Sequence, residues 1–298
     1  MKISPTEIEK AYRYCREVTK QHAKSFYFSA KFLPKHKQKP IYALYALCRH
    51  IDDEVDEAEV RSEPEAIEAV ERWRVSLDEI YSNQTPKTRE QKPNPVLIAW
   101  RDMLKNYRIR QEWPLELMRG VLMDTHFKRY ETFEELYVYC YRVASVVGLM
   151  SSQIFGYTGG EKTLEYAEAL GIAMQLTNIL RDVREDAEMG RIYLPQEDLR
   201  KFGVTEDQIL SRKFNQNFAK LMKFQIERAR FYYRKAELGI PFLEKDTRFT
   251  VLLAARLYGR ILDEIENLNY DVFQTRAHTT KLQKILSIPN IWREARKL

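Results

Sequence analysis

Apolar residues recur along most of this chain at spacings of three and four, the period of an amphipathic helix. The first such segment, Thr6 to Gln21, follows Pro5, a residue tolerated at a helix start. Pro40 is expected to open the next helix, whose first part, Ile41 to Ile51, is almost wholly apolar. Pro64 to Tyr81 carries Ile67, Val70, Trp73 and Leu77 at helical intervals. The polar stretch Ser82 to Pro95, rich in turn formers, reads as a surface loop. Further helices are predicted over Pro95 to Tyr107, Trp113 to Met123, Glu134 to Phe155, Leu164 to Ala187, Phe214 to Ala236, Thr250 to Leu268 and Thr279 to Ile285, with short helical pieces from Asp198 to Leu210. No segment alternates convincingly with a period of two, and no repeat, low-complexity tract or linker divides the chain. Residues 1–298 are therefore expected to form a single all-α domain. Helical bundles build their sites in the core from side chains on facing helices.

Two acidic patterns break into this apolar periodicity. In Gln175-Leu-Thr-Asn178-Ile-Leu-Arg181-Asp182-Val-Arg-Glu-Asp186, the residues Asn178, Asp182 and Asp186 recur every four positions. On a helix such positions share a face, drifting by about 40° and rising about 6 Å per step. The earlier stretch Arg49-His-Ile-Asp52-Asp53-Glu-Val-Asp56 places Asp52 and Asp56 in the same relation. Charge runs are usually solvated helix faces. Here, however, Asp52 follows an apolar helix, and the second row sits among Met174, Leu176, Ile179, Leu180 and Val183. Carboxylates on an apolar helix are costly unless paired or metal-bound. A di-iron bundle would need Glu-x-x-His, and none of the five histidines has an acid three residues before it. Carboxylates with one amide suit Mg²⁺, or Mn²⁺, with open positions for phosphate oxygens.

Arg49, Arg181, Arg184 and Arg191 adjoin the two rows, which favours an anionic ligand such as a diphosphate. A diphosphate that leaves with metal assistance generates a carbocation, and that chemistry needs a dry aromatic cavity. The chain has 14 Phe, 18 Tyr and 4 Trp, and Phe26, Tyr45, Tyr139, Tyr141 and Tyr258 fall on helices expected to face inward. Aromatics at this spacing are more often plain core. The small-sided run from Val143 to Ser152 either leaves room for a long chain or marks close helix packing.

Composition narrows the alternatives. With 10 Gly and 11 Pro and no glycine-rich nucleotide loop, a dinucleotide-binding design is disfavoured. Cys15, Cys48 and Cys140 are odd in number and scattered, which fits reduced thiols in a cytoplasmic protein. Neither a signal-peptide pattern nor a run of 18 apolar residues is present. The net charge is +6, but Lys and Arg are spread along the chain, which argues against a nucleic-acid partner.

The motifs together resemble the squalene/phytoene synthase family, the head-to-head isoprenoid synthases, over roughly Tyr14 to Lys284. The second signature is matched by Leu170-Gly171-x-x-x-Gln175-x-x-Asn178-Ile179-x-Arg181-Asp182-x-x-x-Asp186 followed by Gly190-Arg191-Ile192-Tyr193-Leu194-Pro195. The first is matched by Tyr139-Cys140-Tyr141-x-Val143-Ala144-x-x-Val147-Gly148, and Arg49-x-x-Asp52-Asp53-x-x-Asp56 is similar to the first acid motif. His22-Ala23-Lys24-Ser25-Phe26 resembles the diphosphate-contacting segment, with Ala23 where several members carry serine.

The resemblance implies an isoprenoid-synthase-type bundle with a central cavity. It implies that Asp52, Asp56, Asn178, Asp182 and Asp186 hold Mg²⁺. His22, Lys24, Ser25, Arg49, Gln175 and Arg181 would contact diphosphate, and Phe26, Tyr45, Tyr139, Tyr193 and Tyr258 would line the cavity. The reaction implied is a condensation of two prenyl diphosphates through a cyclopropyl diphosphate. The run from Leu221 to Tyr233 and Tyr270-Asp271-Val272-Phe273 are more like the phytoene-forming bacterial members, as is the lack of a C-terminal membrane anchor. The expected substrate is geranylgeranyl diphosphate, in carotenoid biosynthesis, without NADPH. Presqualene diphosphate, squalene or dehydrosqualene formation from farnesyl diphosphate is the alternative.

A terpene cyclase or head-to-tail prenyltransferase is more remote, because the second signature favours the head-to-head family. An inactive assembly factor would be expected to carry broken acid rows. Asp198 lies outside the rows, and its replacement by alanine is expected to be nearly silent. Near the C-terminus Arg276, Lys281, Lys284 and Arg293 alternate with Leu282, Ile285, Leu286, Ile288 and Trp292. The tail 286–298 is therefore either a packed terminal helix or a peripheral membrane contact.

Overall fold

The computed structural model describes residues 3–56, 63–82, 94–126 and 129–298, apart from the Asp56 side chain. α1 (Pro5–His22) begins at a capping box in which Ser4 and Glu7 satisfy each other's amides. α2 (Lys24–Ala30) follows after one residue, and α3 (Lys35–Asp56) begins five residues before Pro40, earlier than expected. A proline inside a helix leaves the carbonyl four residues back without its amide. That carbonyl, of His36, faces the Tyr107 hydroxyl at 3.5 Å. α4 (Glu63–Tyr81) is followed by α5 (Pro95–Met103), capped by Asn94, and α6 (Glu112–His126). The loop expected between Ser82 and Pro95 falls mostly on residues outside those described.

The helix expected over Glu134 to Phe155 is α7 (Phe133–Cys140) and α8 (Val146–Phe155), joined by a π-helical turn, Tyr141–Ser145. The helix expected from Leu164 to Ala187 is α9 (Glu161–Arg181) and α10 (Val183–Glu188), with Asp182 at the joint. α11 (Gln196–Phe202), α12 (Glu206–Leu210), α13 (Gln216–Glu237), α14 (Lys245–Asn267) and α15 (Lys281–Ala295) complete the fold. α15 runs past the expected end at Ile285, with Pro289 on its exposed side. Among the described residues there are two isolated bridges and no strand. None of their helices is long and apolar enough to cross a membrane.

The apolar residues gather in three clusters. One joins α1 to α6 and α8; the second joins α7 and α9 to α14; the third joins the turn after α13 to α14 and α15. α9 packs against α8, α13, α14 and the π turn, and so runs through the middle. A buried lysine adds a polar tie. Lys37 Nζ donates to the Phe155 carbonyl at 2.9 Å, to Glu244 at 2.6 Å and to Asp246 at 2.8 Å, linking α3 to the end of α8 and the start of α14. The chain leaves α8 at Gly156 with φ 74°, where a Cβ would lie 2.3 Å from the Glu244 carboxylate, so glycine is required there.

Candidate active site

Between these clusters lies a cavity of about 590 Å³, walled by α2, α3, α8, α9, α14 and the π turn. Asn178 and Thr163 both line it from α9. Fifteen residues of helix separate them, so the cavity extends about 22 Å along that helix. The small residues serve both purposes left open by the sequence. A Cβ on Gly171 would lie 2.4 Å from Ser145 Cα, and one on Gly148 would lie 2.8 Å from the Ala167 carbonyl oxygen, so α9 packs closely on its neighbours. Ala144, Val147, Gly148 and Ser151 also face the cavity and leave its body wide.

One end of the cavity is polar. His22, Ser25, Arg49, Asp52, Gln175, Asn178, Arg181, Asp182 and Tyr258 come together there from α1, α2, α3, α9 and α14. Phe26 stacks on Tyr45 beside them, ring centroids 5.5 Å apart. Arg49 pairs with Asp52 at 3.2 Å and also with Asp53. Arg181 Nε donates to Asp182 Oδ1 at 2.8 Å. Burial opposes the charge on Arg181, but its bonds to Asp182 outweigh that and hold its pKa above the usual guanidinium value. The Asn178 amide donates to Gln175 at 3.2 Å, while Asn178 Oδ1 is buried with no hydrogen-bond partner. A buried acceptor without a donor, beside carboxylates, fits a hard cation. No three of the described His, Cys, Asp and Glu side chains are grouped closely enough to hold a metal. The Asp56 side chain, expected to be one ligand, lies outside the described residues.

Other expected site residues stand at one remove. Lys24 and Tyr193 do not line the cavity, nor does Asp186. Tyr193 stacks on Tyr139, which does line it, at 5.2 Å, and both hydroxyls donate to Asp124, at 2.7 Å and 3.0 Å. Burial first, then the charge of Asp124, holds the Tyr139 pKa far above the usual phenol value. Tyr141, expected to face inward, instead lines a shallow outer groove with Arg110 and Trp113, because it stands two residues, about 200° of helix, from the cavity-lining Tyr139.

Asp186 is half-buried behind the lining. Burial first, then the negative charge of Asp182, pushes its carboxyl up to about 8, against the pull of Arg191. Such an acid keeps its proton in the folded state after the unfolded chain has released it. Stability therefore falls as pH rises from about 4 to about 8. In chelator, Asp186→Asn is expected to flatten that fall. Thermal midpoints of the two proteins running parallel between pH 5 and 8 would refute the assignment.

Three contributors were not expected from the sequence. Arg276 Nε, from the segment before α15, donates to Asp182 Oδ1 at 2.8 Å and pairs with Glu185 at 3.4 Å. Lys284 Nζ, on α15, donates to Ser25 Oγ at 2.7 Å. Asp124, on α6, is the third.

Residues 19–283 match the family described as squalene/phytoene synthase. A 15-cis-phytoene synthase of Synechocystis sp. is 40% identical, over 98% of this chain and 87% of its own. A phytoene synthase of Arthrospira platensis is 39% identical, over 99% of this chain and 96% of its own. A solved dehydrosqualene synthase in complex with ligand superimposes with a TM-score of 0.89 at 29% identity, over 98% of this chain and 99% of that one. A squalene synthase from Alicyclobacillus acidocaldarius, 24% identical over 90% of this chain and 97% of its own, shares the fold with a TM-score of 0.79. The fold is thus of the isoprenoid-synthase type, an all-α bundle around a cavity. The chain belongs to the squalene/phytoene synthase family, and it is an enzyme of the transferase class.

Proposed function

We propose that this protein is a phytoene synthase. It joins two geranylgeranyl diphosphates head to head, in carotenoid biosynthesis, with residues 1–298 acting as one domain. The observation that carries this reading is the 40% identity to a phytoene synthase along 98% of the chain. The cavity supports it, with a polar end built for a diphosphate, an apolar body behind it and a span of about 22 Å along α9 in all.

Members of the family are divalent-metal-dependent prenyltransferases. Asp52, Asp56, Asn178, Asp182 and Asp186 would hold Mg²⁺, with Mn²⁺ as the alternative. When bound, Mg²⁺ neutralises the charge that develops on the leaving diphosphate. Arg49, Arg181 and Arg276 take outer phosphate oxygens, assisted by His22, Lys24, Ser25, Gln175 and Lys284. In the first step the allylic C–O bond breaks and its electrons leave with diphosphate. The double bond of the second substrate attacks the cation, and loss of a proton closes the cyclopropane. In the second step the remaining diphosphate leaves, the skeleton rearranges and a final proton is lost, so no reductant is consumed. Phe26, Tyr45 and Tyr258 present aromatic faces to the cation, and the apolar walls keep water from it. Asp124 fixes the Tyr139 hydroxyl through the bond described above.

The test is incubation with geranylgeranyl diphosphate and Mg²⁺, separately with farnesyl diphosphate, followed by mass analysis of the extracted lipid. A C40 hydrocarbon formed without NADPH is expected. The likeness to a dehydrosqualene synthase favours a second reading, in which farnesyl diphosphate gives a C30 product. A C30 product alone would replace the first reading with the second.

A further inference from the structure

We propose that the outward face of α15 is a docking surface for an anionic lipid bilayer. The helix has two apolar sides. Ser287 and Ile291 are buried, and Ile288 and Ala295 pack on the cluster shared with α14. On the opposite side Leu282, Ile285, Leu286 and Trp292 are 65, 55, 65 and 47% exposed. Their positions fall within an arc of about 120°. A soluble helix normally turns its charged side to water, so an apolar outer crest calls for a second non-aqueous phase.

Charge identifies that phase. Lys281, Arg293, Arg296 and Lys297 are all exposed around the crest. The sole acidic side chain from residue 281 to the end is Glu294, which lies off the crest and is paired with Arg256 at 2.5 Å. An apolar stripe with a tryptophan, flanked by cations and itself free of acid, suits the boundary between anionic headgroups and acyl chains. A protein partner fits less well. Four crest residues on one helix fall far short of the roughly 20–30 residues per side of a stable interface.

The face is also placed where lipid must arrive. Lys284, on the inner flank of the same helix, contacts Ser25 at the polar end of the cavity. Docking through α15 would hold that end beside the bilayer. The need for such a surface rests on the phytoene reading, since a C40 hydrocarbon cannot leave into water.

The full-length chain should be sedimented with phosphatidylglycerol/phosphatidylcholine vesicles, without substrate or metal. The wild type is expected to bind. The triple variant Leu282→Ser/Ile285→Ser/Leu286→Ser is expected to lose at least about tenfold in partition coefficient. All three side chains are exposed, so its far-UV spectrum and its turnover of detergent-dispersed substrate should match wild type. Arg293→Glu/Lys297→Glu is expected to abolish the preference for phosphatidylglycerol over pure phosphatidylcholine. Failure of the wild type to bind, or equal binding by the triple variant, would overturn the proposal. So would a wild-type dimer that the triple variant converts to monomer, which would assign the face to a second copy. Vesicle binding is read without substrate, so a C30 product in the earlier test would leave this result standing.

Discussion

Asp182→Ala is expected to lower turnover by at least about a thousandfold while leaving the helical spectrum intact. Asp182 is where α9 ends and α10 begins, with φ −103°. The ladder still passes through it, because its amide bonds the Asn178 carbonyl and its carbonyl accepts the Asp186 amide, each at 2.9 Å. The side chain is therefore held between the other two members of its row. It is also the point at which Arg181 and Arg276 converge. Alanine removes a proposed ligand and releases two guanidinium groups together. Arg181 is largely buried, so a lower melting temperature should accompany the loss. Asp182→Asn separates the effects, since it keeps the shape and partial bonding to both arginines but lacks the charge a cation needs. Both variants should be inactive, and only alanine should be appreciably less stable. Activity above about a tenth of wild type in either variant at saturating Mg²⁺ would remove Asp182 from the proposed mechanism.

Asp198→Ala is expected to cost about 3–5 kcal/mol of stability, which corrects the silence anticipated from its position outside the acid rows. Its side chain is 5% exposed. One carboxylate oxygen accepts from Arg228 Nη1 at 2.6 Å and from Gln225 Nε2 at 2.8 Å. Arg228 lies over the Phe133 ring at 4.1 Å and the Phe224 ring at 4.8 Å, so it cannot easily turn to water. Deleting the acid strands that cation and leaves a buried amide without its acceptor. The denaturation midpoint should fall with an unchanged slope, and turnover per folded molecule should stay near wild type. A loss below about 1 kcal/mol would show that Arg228 finds another partner.

These two aspartates illustrate what could be read from the chain. Asn178 and Asp182 meet at the polar end of the cavity, as their local spacing among apolar neighbours implies, whereas Asp186 stands behind the lining. Helical periodicity likewise predicts most helices and the inward placement of Phe26 and Tyr45, though not their stacking. Asp198, in contrast, looks like any acid in the first turn of a short helix, and only the packing of α13 reveals its partner. Arg276 and Lys284 reach the site from 94 and 259 residues away, and a side-chain period carries no information over such distances. In the sequence both are simply cations near the C-terminus. Nothing near Asp124 in sequence links it to Tyr139 or Tyr193. Tyr139 and Tyr141 stand about 200° apart on a helix, so only one of the two faces the cavity.

The three apolar clusters border a common cavity, and this joins the enzyme's folding equilibrium to its substrate. Chain binding transfers apolar wall from water to hydrocarbon, the same transfer that drives folding. Ligand and folded state therefore share one thermodynamic cycle, and occupancy raises the melting temperature by mass action. Inside a cell, the abundance of this protein should follow the supply of its prenyl diphosphate, because the unoccupied chain is the form that unfolds first.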